Sequence, residues 1–396
     1  MKELKNGVYW VGATDWKIRY SHGYELSTHR GSTYNSYLIK DEKTVLIDTV
    51  WEPLTDRFLE NLSEVTDISK IDYVVMNHGE PDHSGALPAI MEYIPDVPVI
   101  VSKKGLETAK RYYQKEWNFK VVSTGDKISI GKNDLTFIEA SMLHWPDSMF
   151  TYLSGENILF PNDAFGQHYA SSSIFNDEVD EAEVYQESLK YYANILTPFS
   201  KFVTRKIDEL KKLGVPIDII APSHGIIWRK DPIRIVEKYY EWAAGNSEKS
   251  AVIAYNSMWG ATHKIAEFIG KGLGEGGIDY KIFNVATADR NDIIAEIFKA
   301  KGIILGSSTV NNGLLTSILP LIEDLMGLKF INKIGASFGS YGWSGESPDI
   351  LSEYLTKAKI KVIENGLKFK YMPSDEELEE CRTFGKNFAK KVLEEF

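Results

Sequence analysis

Short runs of β-branched and apolar residues alternate with turns and helical stretches through the first part of the chain. Residues 34–39, 44–47, 97–101 and 135–140 read as strands. Up to about residue 142 the pattern is mixed α and β with many strands. A polar segment over roughly 171–187 leads into a helical stretch rich in Tyr and Leu, and 217–220 reads as one more strand, ending at Pro222-Ser223-His224-Gly225. After a helix ending near Trp242, the small and polar run Ala244-Gly245-Asn246-Ser247-Glu248-Lys249 marks a boundary, so the expected domains are 1–248 and 249–396. From Ala251 the rhythm becomes strand, Gly/Ser-rich turn, helix, with strands at 251–255, 280–284, 302–305, 335–338 and near 360–363. Such alternation predicts a parallel sheet with helices on both faces, and the length suits a five-stranded doubly wound domain of order 2-1-3-4-5. No internal repeat or low-complexity tract interrupts either half.

Composition narrows the function classes. With 396 residues, 43% apolar and 12% aromatic, the chain can build sizeable cores in two or three domains. A net charge of −11 with both signs interspersed argues against a nucleic-acid surface, which needs clustered Lys and Arg. A lone Cys381 excludes an internal disulfide and any Cys-x-x-Cys knuckle, so no iron–sulfur or rubredoxin-type module is built in. A carrier of that kind is expected as a separate protein. The start, Met1-Lys2-Glu3-Leu4-Lys5-Asn6-Gly7, lacks a signal-peptide core, and no run approaches the roughly 18 apolar residues of a membrane span. The expectation is a soluble, cytoplasmic chain with no membrane partner.

The densest chemistry follows the apolar run Ile71-Asp72-Tyr73-Val74-Val75-Met76. There, His78-x-Glu80-x-Asp82-His83 places four ligand-type side chains in the turn leaving a buried strand, and His144, Asp163 and His224 follow far along the chain. Taken singly, a histidine near a strand end is an ordinary polar group. Glu80 and Asp82 crowded with His78 and His83 would instead repel, or strand unpaired polar groups, unless a cation neutralised them. A hydrolytic zinc centre is satisfied by three or four nitrogen-rich ligands plus water, whereas this set offers three carboxylates beside four histidines. Two ions fit it better than one. Oxygen donors mixed with imidazole favour iron or manganese, with zinc able to compete.

A second site is legible after the strand at 251–255. Ser257-Met258-Trp259-Gly260-Ala261-Thr262 opens a helix, and hydroxyls at both ends of the loop with backbone N–H groups at the helix start make a nest for a phosphate dianion. Its single glycine favours a mononucleotide over a pyrophosphate. Two later loops, Ser307-Ser308-Thr309-Val310-Asn311-Asn312-Gly313 and Gly339-Ser340-Tyr341-Gly342-Trp343-Ser344-Gly345, leave the carboxyl ends of further strands and converge on the same crevice. Tyr341 and Trp343 could flank an isoalloxazine ring, or simply cap the sheet.

Together these residues resemble the flavodiiron proteins, also called A-type flavoproteins, over essentially the whole chain. The resemblance implies a metallo-β-lactamase-like αβ/βα sandwich followed by a flavodoxin-like domain. It implies one iron held by His78, Glu80 and His144, a second by Asp82, His83 and His224, and Asp163 bridging the two, with FMN on the three later loops. Segments 144–150 and 161–168 look like family segments whose Trp145, Phe150 and Phe165 would keep the pocket dry. His22, in Ser21-His22-Gly23, and Tyr191 resemble groups near the metal pocket that could donate a proton or hydrogen bond. His29, His168 and His263 are expected to be structural or surface residues. The implied reaction is reduction of dioxygen to water, of nitric oxide to nitrous oxide, or both. Electrons would come from rubredoxin or a rubredoxin-like shuttle, or directly from a reduced deazaflavin. The implied assembly is a head-to-tail homodimer, or a dimer of such dimers, with one subunit's FMN beside the other's irons.

Two rival classes remain on the residues alone. One is a di-zinc hydrolase with an accessory flavodoxin domain, the other a non-catalytic electron-transfer protein with a structural metal site. Glu80, standing where zinc hydrolases of this fold carry histidine, argues against the first, as does the tethered flavin module. Open, mixed ligation argues against the second.

Overall fold

The computed structural model describes residues 2–364 and 366–396, and the chain divides into two compact units, one running to Tyr191 together with Phe199–Tyr240, the other comprising Tyr192–Pro198 and Glu241–Phe396. Among the described residues, no helix is long and apolar enough to cross a membrane.

The first unit is built on two sheets. One runs in spatial order Lys2–Lys5, Val8–Trp10, Tyr37–Lys40, Thr44–Ile47, Tyr73–Met76, Val99–Ser102, Phe119–Val122, antiparallel as far as Thr44–Ile47 and parallel beyond it. The other runs Lys127–Ser129, Asp134–Glu139, Met149–Leu153, Ile158–Phe160, Ile219–Ile220, with only the last pair parallel. Side chains alternate across a strand, and the sequence uses both faces. Tyr37, Ile39, Val45, Ile47 and Val75 of the first sheet meet Leu135, Phe137, Met149 and Phe160 of the second in one core. Leu38, Leu46, Val74 and Val101 point the other way, onto helical residues Phe58, Leu62, Leu87, Ile90 and Ala109. Two sheets face to face, with helices outside, give the expected αβ/βα sandwich.

The strand expected over 34–39 is interrupted. Ser32–Tyr34 pairs with Ala13–Asp15, and Tyr37–Lys40 enters the large sheet. Between them, Asn35 Nδ2 donates to the carbonyls of Pro222 and Gly225 (2.8 and 3.0 Å), and Ser36 Oγ to that of Asp48 (2.8 Å), so two polar side chains turn the chain toward other loops.

The second unit is a doubly wound sheet. Its strands Glu248–Asn256, Asp279–Asn284, Ala300–Val310, Ile334–Tyr341 and Lys361–Val362, numbered 1 to 5, lie in order 2-1-3-4-5, all parallel. Leu367–Lys370 also pairs with the fourth strand, farther along it, so the edge position is filled by two short pieces. Ala251, Ile253, Ile304 and Phe338 pack one face against Ile265, Ile269, Phe384 and Phe388 of the helices Ala261–Glu275 and Asp375–Glu394.

Candidate functional site

All seven predicted ligand side chains converge in the first unit. His78 and Glu80 stand in the turn after Tyr73–Met76, Asp82 and His83 in the single helical turn Pro81–Ser84, and His144 in the loop before Met149–Leu153. Asp163 follows Ile158–Phe160, and His224 follows Ile219–Ile220. The side chains form two groups of potential ligand atoms, His78, Glu80, His144 and Asp163 in one and Asp82, His83 and His224 in the other, each within 4.8 Å of one another.

In the first group, Glu80 Oε2 is 3.2 Å from His78 Nε2 and 3.5 Å from His144 Nε2. In the second, Asp82 Oδ1 is 3.3 Å from His83 Nε2, and Asp82 Oδ2 is 3.1 Å from His224 Nε2. Asp163 faces both. Its Oδ2 lies 3.6 and 3.4 Å from His78 and His144, and its Oδ1 lies 2.9 and 3.7 Å from His83 and His224.

The donor set fits metal ions. Asp82 Oδ1, His83 Nε2 and Asp163 Oδ2 are buried with no hydrogen-bond partner. His83 Nε2 makes no hydrogen bond although Asp163 Oδ1 is only 2.9 Å away, so the two atoms do not point at each other. Ligand atoms about 2.1 Å from a shared ion at near-tetrahedral angles lie roughly 3.4 Å apart, the spacing seen here. Electrostatics agree. Burial would depress the His83 imidazole, but Asp163 and Asp82 outweigh it and hold it at about 9. Burial would raise the Asp163 carboxyl, but His83 and His144 hold it well below the usual carboxylate range. The field that draws a proton onto the His83 imidazole is one that stabilises a cation.

Residues not singled out in the sequence aim the ligands. Asp147 Oδ1 lies 3.0 Å from His78 Nδ1, and its Oδ2 accepts from Gly79 N–H (2.8 Å), which turns His78 Nε2 into the cluster. The Thr33 carbonyl does the same for His224, 2.7 Å from its Nδ1. Asp48, itself buried, accepts from Asn77 N–H and Nδ2 (2.7 and 3.1 Å) and from Asn162 Nδ2 (3.3 Å). Each of those asparagines directly precedes a ligand. Thr49 N–H and Oγ1 then bind the His83 carbonyl at 2.8 and 2.9 Å. Orienting partners of this kind set metal affinity nearly as strongly as the ligands.

Of the two predicted proton donors, His22 lies at the rim, its Nε2 3.4 Å from Glu80 Oε1. Burial lowers its pKa, and the bond and charge of Glu80, with Asp82 and Asp163, more than offset that, so it stands above its ordinary value. Tyr191 ends the helix Glu181–Tyr191, buried, with its ring 5.3 Å from that of His168 and 6.4 Å from that of His224. Trp145 packs edge-on to His78 at 5.1 Å, and Phe150 and Phe165 are buried. His168, expected to be structural or on the surface, is buried beside His224, with ring centroids 4.8 Å apart. Burial, with His224 and His22, holds its imidazole well below the ordinary pKa, hence neutral.

In the second unit the three predicted loops meet at the carboxyl edge of the sheet. Gly260 precedes the helix Ala261–Glu275 at φ +90°, a left-handed conformation suited to glycine, and its N–H donates to Ser257 Oγ (3.1 Å). Thr262 Oγ1 is 2.9 Å from Ser308 Oγ and 2.8 Å from Ser340 Oγ, and Met258 N–H donates to Ser308 Oγ (3.3 Å), so buried hydroxyls tie the loops together. Asn311 and Asn312 take φ of +49° and +59°, turning the chain tightly between Val310 and Gly313, while Thr309 Oγ1 donates to Ser347 Oγ at 2.9 Å. Around the cradle, Trp259 and Trp343 are 87% and 91% exposed, each offering an uncovered ring face. Gly345 lies against the Tyr341 ring, and Ser344 Oγ donates to Glu346 Oε2 (2.7 Å). Free N–H groups at a helix start beside uncovered aromatic rings fit a phosphate joined to a flat heterocycle.

Comparison with known proteins agrees with both halves. Residues 33–225 match the ODP family of β-lactamase domains, and residues 253–385 match flavodoxin. A nitric oxide reductase of Moorella thermoacetica is 49% identical over 99% of this chain and 98% of its own length. An anaerobic nitric oxide reductase flavorubredoxin of Klebsiella pneumoniae is 47% identical over 98% of this chain and 81% of its own. Among solved structures, rubredoxin oxygen:oxidoreductase of Desulfovibrio gigas superposes with a TM-score of 0.97 at 36% identity, covering 100% of this chain and 99% of that one. The flavodiiron protein of Giardia intestinalis gives 0.95 at 34% identity, covering 100% and 97%. These relatives are reductases, and the hydrolase alternative is not favoured. The chain belongs to the flavodiiron proteins, oxidoreductases that join a β-lactamase-like domain with a di-iron centre to a flavodoxin domain with FMN.

Proposed function

We propose that this protein reduces nitric oxide to nitrous oxide in the cytoplasm, accepts dioxygen as a second substrate, and draws its electrons from a separate carrier. The identity to nitric oxide reductases along nearly the whole chain supports the first substrate, and the likeness to an oxygen reductase supports the second. The observation that carries the reading is Asp163, whose two carboxylate oxygens face two separate ligand groups. In this reading His78, Glu80 and His144 would hold one iron, Asp82, His83 and His224 the other, and Asp163 both. Bound iron supplies Lewis acidity and reducing power, and bound FMN converts paired electrons into single ones.

The chain's own side chains do the rest. In this reading His22, at the rim beside Glu80, and the buried Tyr191 would supply protons. Trp145, Phe150 and Phe165 exclude water. Ser257, Met258, Trp259, Gly260, Ala261 and Thr262 would hold the flavin phosphate, while Thr309–Asn312 and Ser340–Gly345 would hold the ring. Coupling two nitric oxide molecules consumes two electrons and two protons and releases nitrous oxide and water, so the site needs both a proton source and electrons delivered in sequence. Rubredoxin suits a chain without a Cys-x-x-Cys module, reduced deazaflavin is the second candidate, and a head-to-tail homodimer, alone or paired into a tetramer, is the working assembly.

The test is to reduce the purified protein under argon, mix it with limiting nitric oxide or dioxygen, and follow flavin reoxidation while assaying nitrous oxide and hydrogen peroxide. Nitrous oxide at one molecule per two of nitric oxide, and dioxygen turnover without peroxide, is the expected result. Peroxide in step with slow reoxidation, and no nitrous oxide, would sink it.

A further inference from the structure

His168 and His224 are mounted side by side on consecutive residues of one strand. His168 Nδ1 lies 2.8 Å from Ser32 Oγ, and His224 Nδ1 lies 2.7 Å from the carbonyl of Thr33. Their rings are 4.8 Å apart at 51°. The residue before His168 grips the chain around the ligand as well: Gln167 N–H donates to the His224 carbonyl (3.4 Å), and Gln167 Oε1 accepts from Ile226 N–H (2.7 Å).

The free ends of the two rings diverge. His224 Nε2 faces Asp82 and Asp163, whereas His168 Nε2 faces Ser21 Oγ at 3.5 Å, and that same hydroxyl lies 3.4 Å from His22 Nδ1. His168 therefore touches the second ligand group through His224 and reaches toward the first through Ser21 and His22, whose Nε2 is 3.4 Å from Glu80. One tautomer satisfies the whole run. With a proton on His168 Nδ1, that N–H donates to Ser32 Oγ, whose own hydrogen goes to the Thr33 carbonyl (3.2 Å), while Ser21 Oγ–H donates to His168 Nε2 and His22 Nδ1–H donates to Ser21 Oγ.

We propose that His168 is a positioning residue: its buried ring sets the plane of His224 and anchors the turn that carries His22, tying the two ligand groups together from outside as Asp163 does from within. The idea rests on the proposed ligand role of His224 and the proposed rim role of His22. A buried imidazole that is no ligand but fits between two histidines and two serines has no simpler substitute. Phe would fill the volume without either hydrogen bond, and Asn would keep only the bond at the Nδ1 position.

The experiment uses the full-length, iron-loaded holoprotein in four variants: His168→Phe, His168→Asn, Ser32→Ala and, as a control, His224→Ala. Iron release to a chelator and the electron paramagnetic resonance line shape of the iron pair are read on each, with circular dichroism to check folding. Expected are release about tenfold faster and an altered line shape in His168→Phe, the size typical of losing a ligand-orienting partner. Release should return toward the wild-type rate in His168→Asn, and Ser32→Ala should resemble His168→Phe. Should His168→Phe fail to fold, Ser32→Ala against His168→Asn carries the same comparison. Unchanged release and line shape in His168→Phe or Ser32→Ala, beside iron loss in His224→Ala, would overturn the positioning role alone. Full iron in His224→Ala would overturn the ligand assignment with it.

Discussion

The Asp48 carboxylate grips Asn77 twice, at the backbone N–H (2.7 Å) and at the side-chain amide (3.1 Å), and so fixes the residue from which His78 is hung. With a third bond to Asn162, just before Asp163, one buried side chain sets the starting points of two ligand turns. Asp48→Ala leaves three buried donors without an acceptor. At about 1–3 kcal/mol for each unsatisfied group, partly relieved by relaxation, the loss is about 3 kcal/mol. Thermal unfolding of the metal-binding unit should fall by roughly 10 °C. An unchanged transition would show that water replaces the carboxylate.

Asp163 and Glu80 differ in reach, and metal analysis separates them. On the proposed ligation, Glu80→Ala disturbs one ligand group, and Asp163→Ala disturbs both. Iron per subunit should fall by about half in the first variant and nearly completely in the second. Retention of both irons in Asp163→Ala would remove the bridge from the account.

Asp147→Asn probes orientation without deleting a ligand. The amide keeps one acceptor for either the His78 ring or Gly79 N–H, but no longer offers a charged acceptor to both. Affinity for the iron beside His78 should drop on the order of 10–100-fold, read by competition with a coloured chelator. Equal affinity in variant and wild type would mean that packing against Trp145 alone fixes the ring.

Trp343 is almost fully exposed, so its loss should leave the fold intact. If its ring covers the flavin, Trp343→Ala gives up an aromatic stacking contact of about 0.5–1.5 kcal/mol, or roughly 2–12-fold in FMN affinity. Titration of the apoprotein by flavin fluorescence checks this, and an unaltered Kd would place the tryptophan off the ring.

Lys333 offers a test by pH. Its ammonium donates to Ser247 Oγ (3.0 Å) and to the carbonyls of Phe298 and Ala300 (both 2.6 Å), at the end of the helix Arg290–Lys299. Burial, helped by Lys301, pushes its pKa down to about 7 from 10.5. Between those values the unfolded chain binds more protons than the folded one, so this group adds stability as pH rises from about 7 toward 10.5. The gap in unfolding free energy between wild type and Lys333→Met should therefore shift in favour of wild type over that range. A gap that stays level from pH 7 to pH 10 would contradict a depressed lysine.

The sequence was most legible where strands are buried on both faces. Parallel strands covered by helices appear as unbroken apolar runs, so 251–255 and 302–305 fall inside Glu248–Asn256 and Ala300–Val310. The last edge was harder. Leu367–Lys370 alternates apolar with lysine, a pattern that a partly exposed edge shares with an ordinary loop. The ligands announced themselves because four of them crowd a single turn. Asp48 and Asp147 did not, because an aspartate in a turn usually binds its own backbone, and only the fold shows these two reaching 29 and 69 residues away. His168 was hidden for the converse reason: nothing in Gly166-Gln167-His168 tells a buried imidazole from an exposed one.

Thr262, Ser308 and Ser340 enclose three hydroxyl hydrogens in a small ring beside the proposed flavin loops. Each hydrogen swings about its C–O bond without moving a heavy atom. Such a ring behaves as a miniature polarisable medium. As charge on a neighbouring group rises or falls by one electron, its dipoles can reverse direction at almost no structural expense. A rigid scaffold thus retains some of the responsiveness of solvent at three buried hydroxyls.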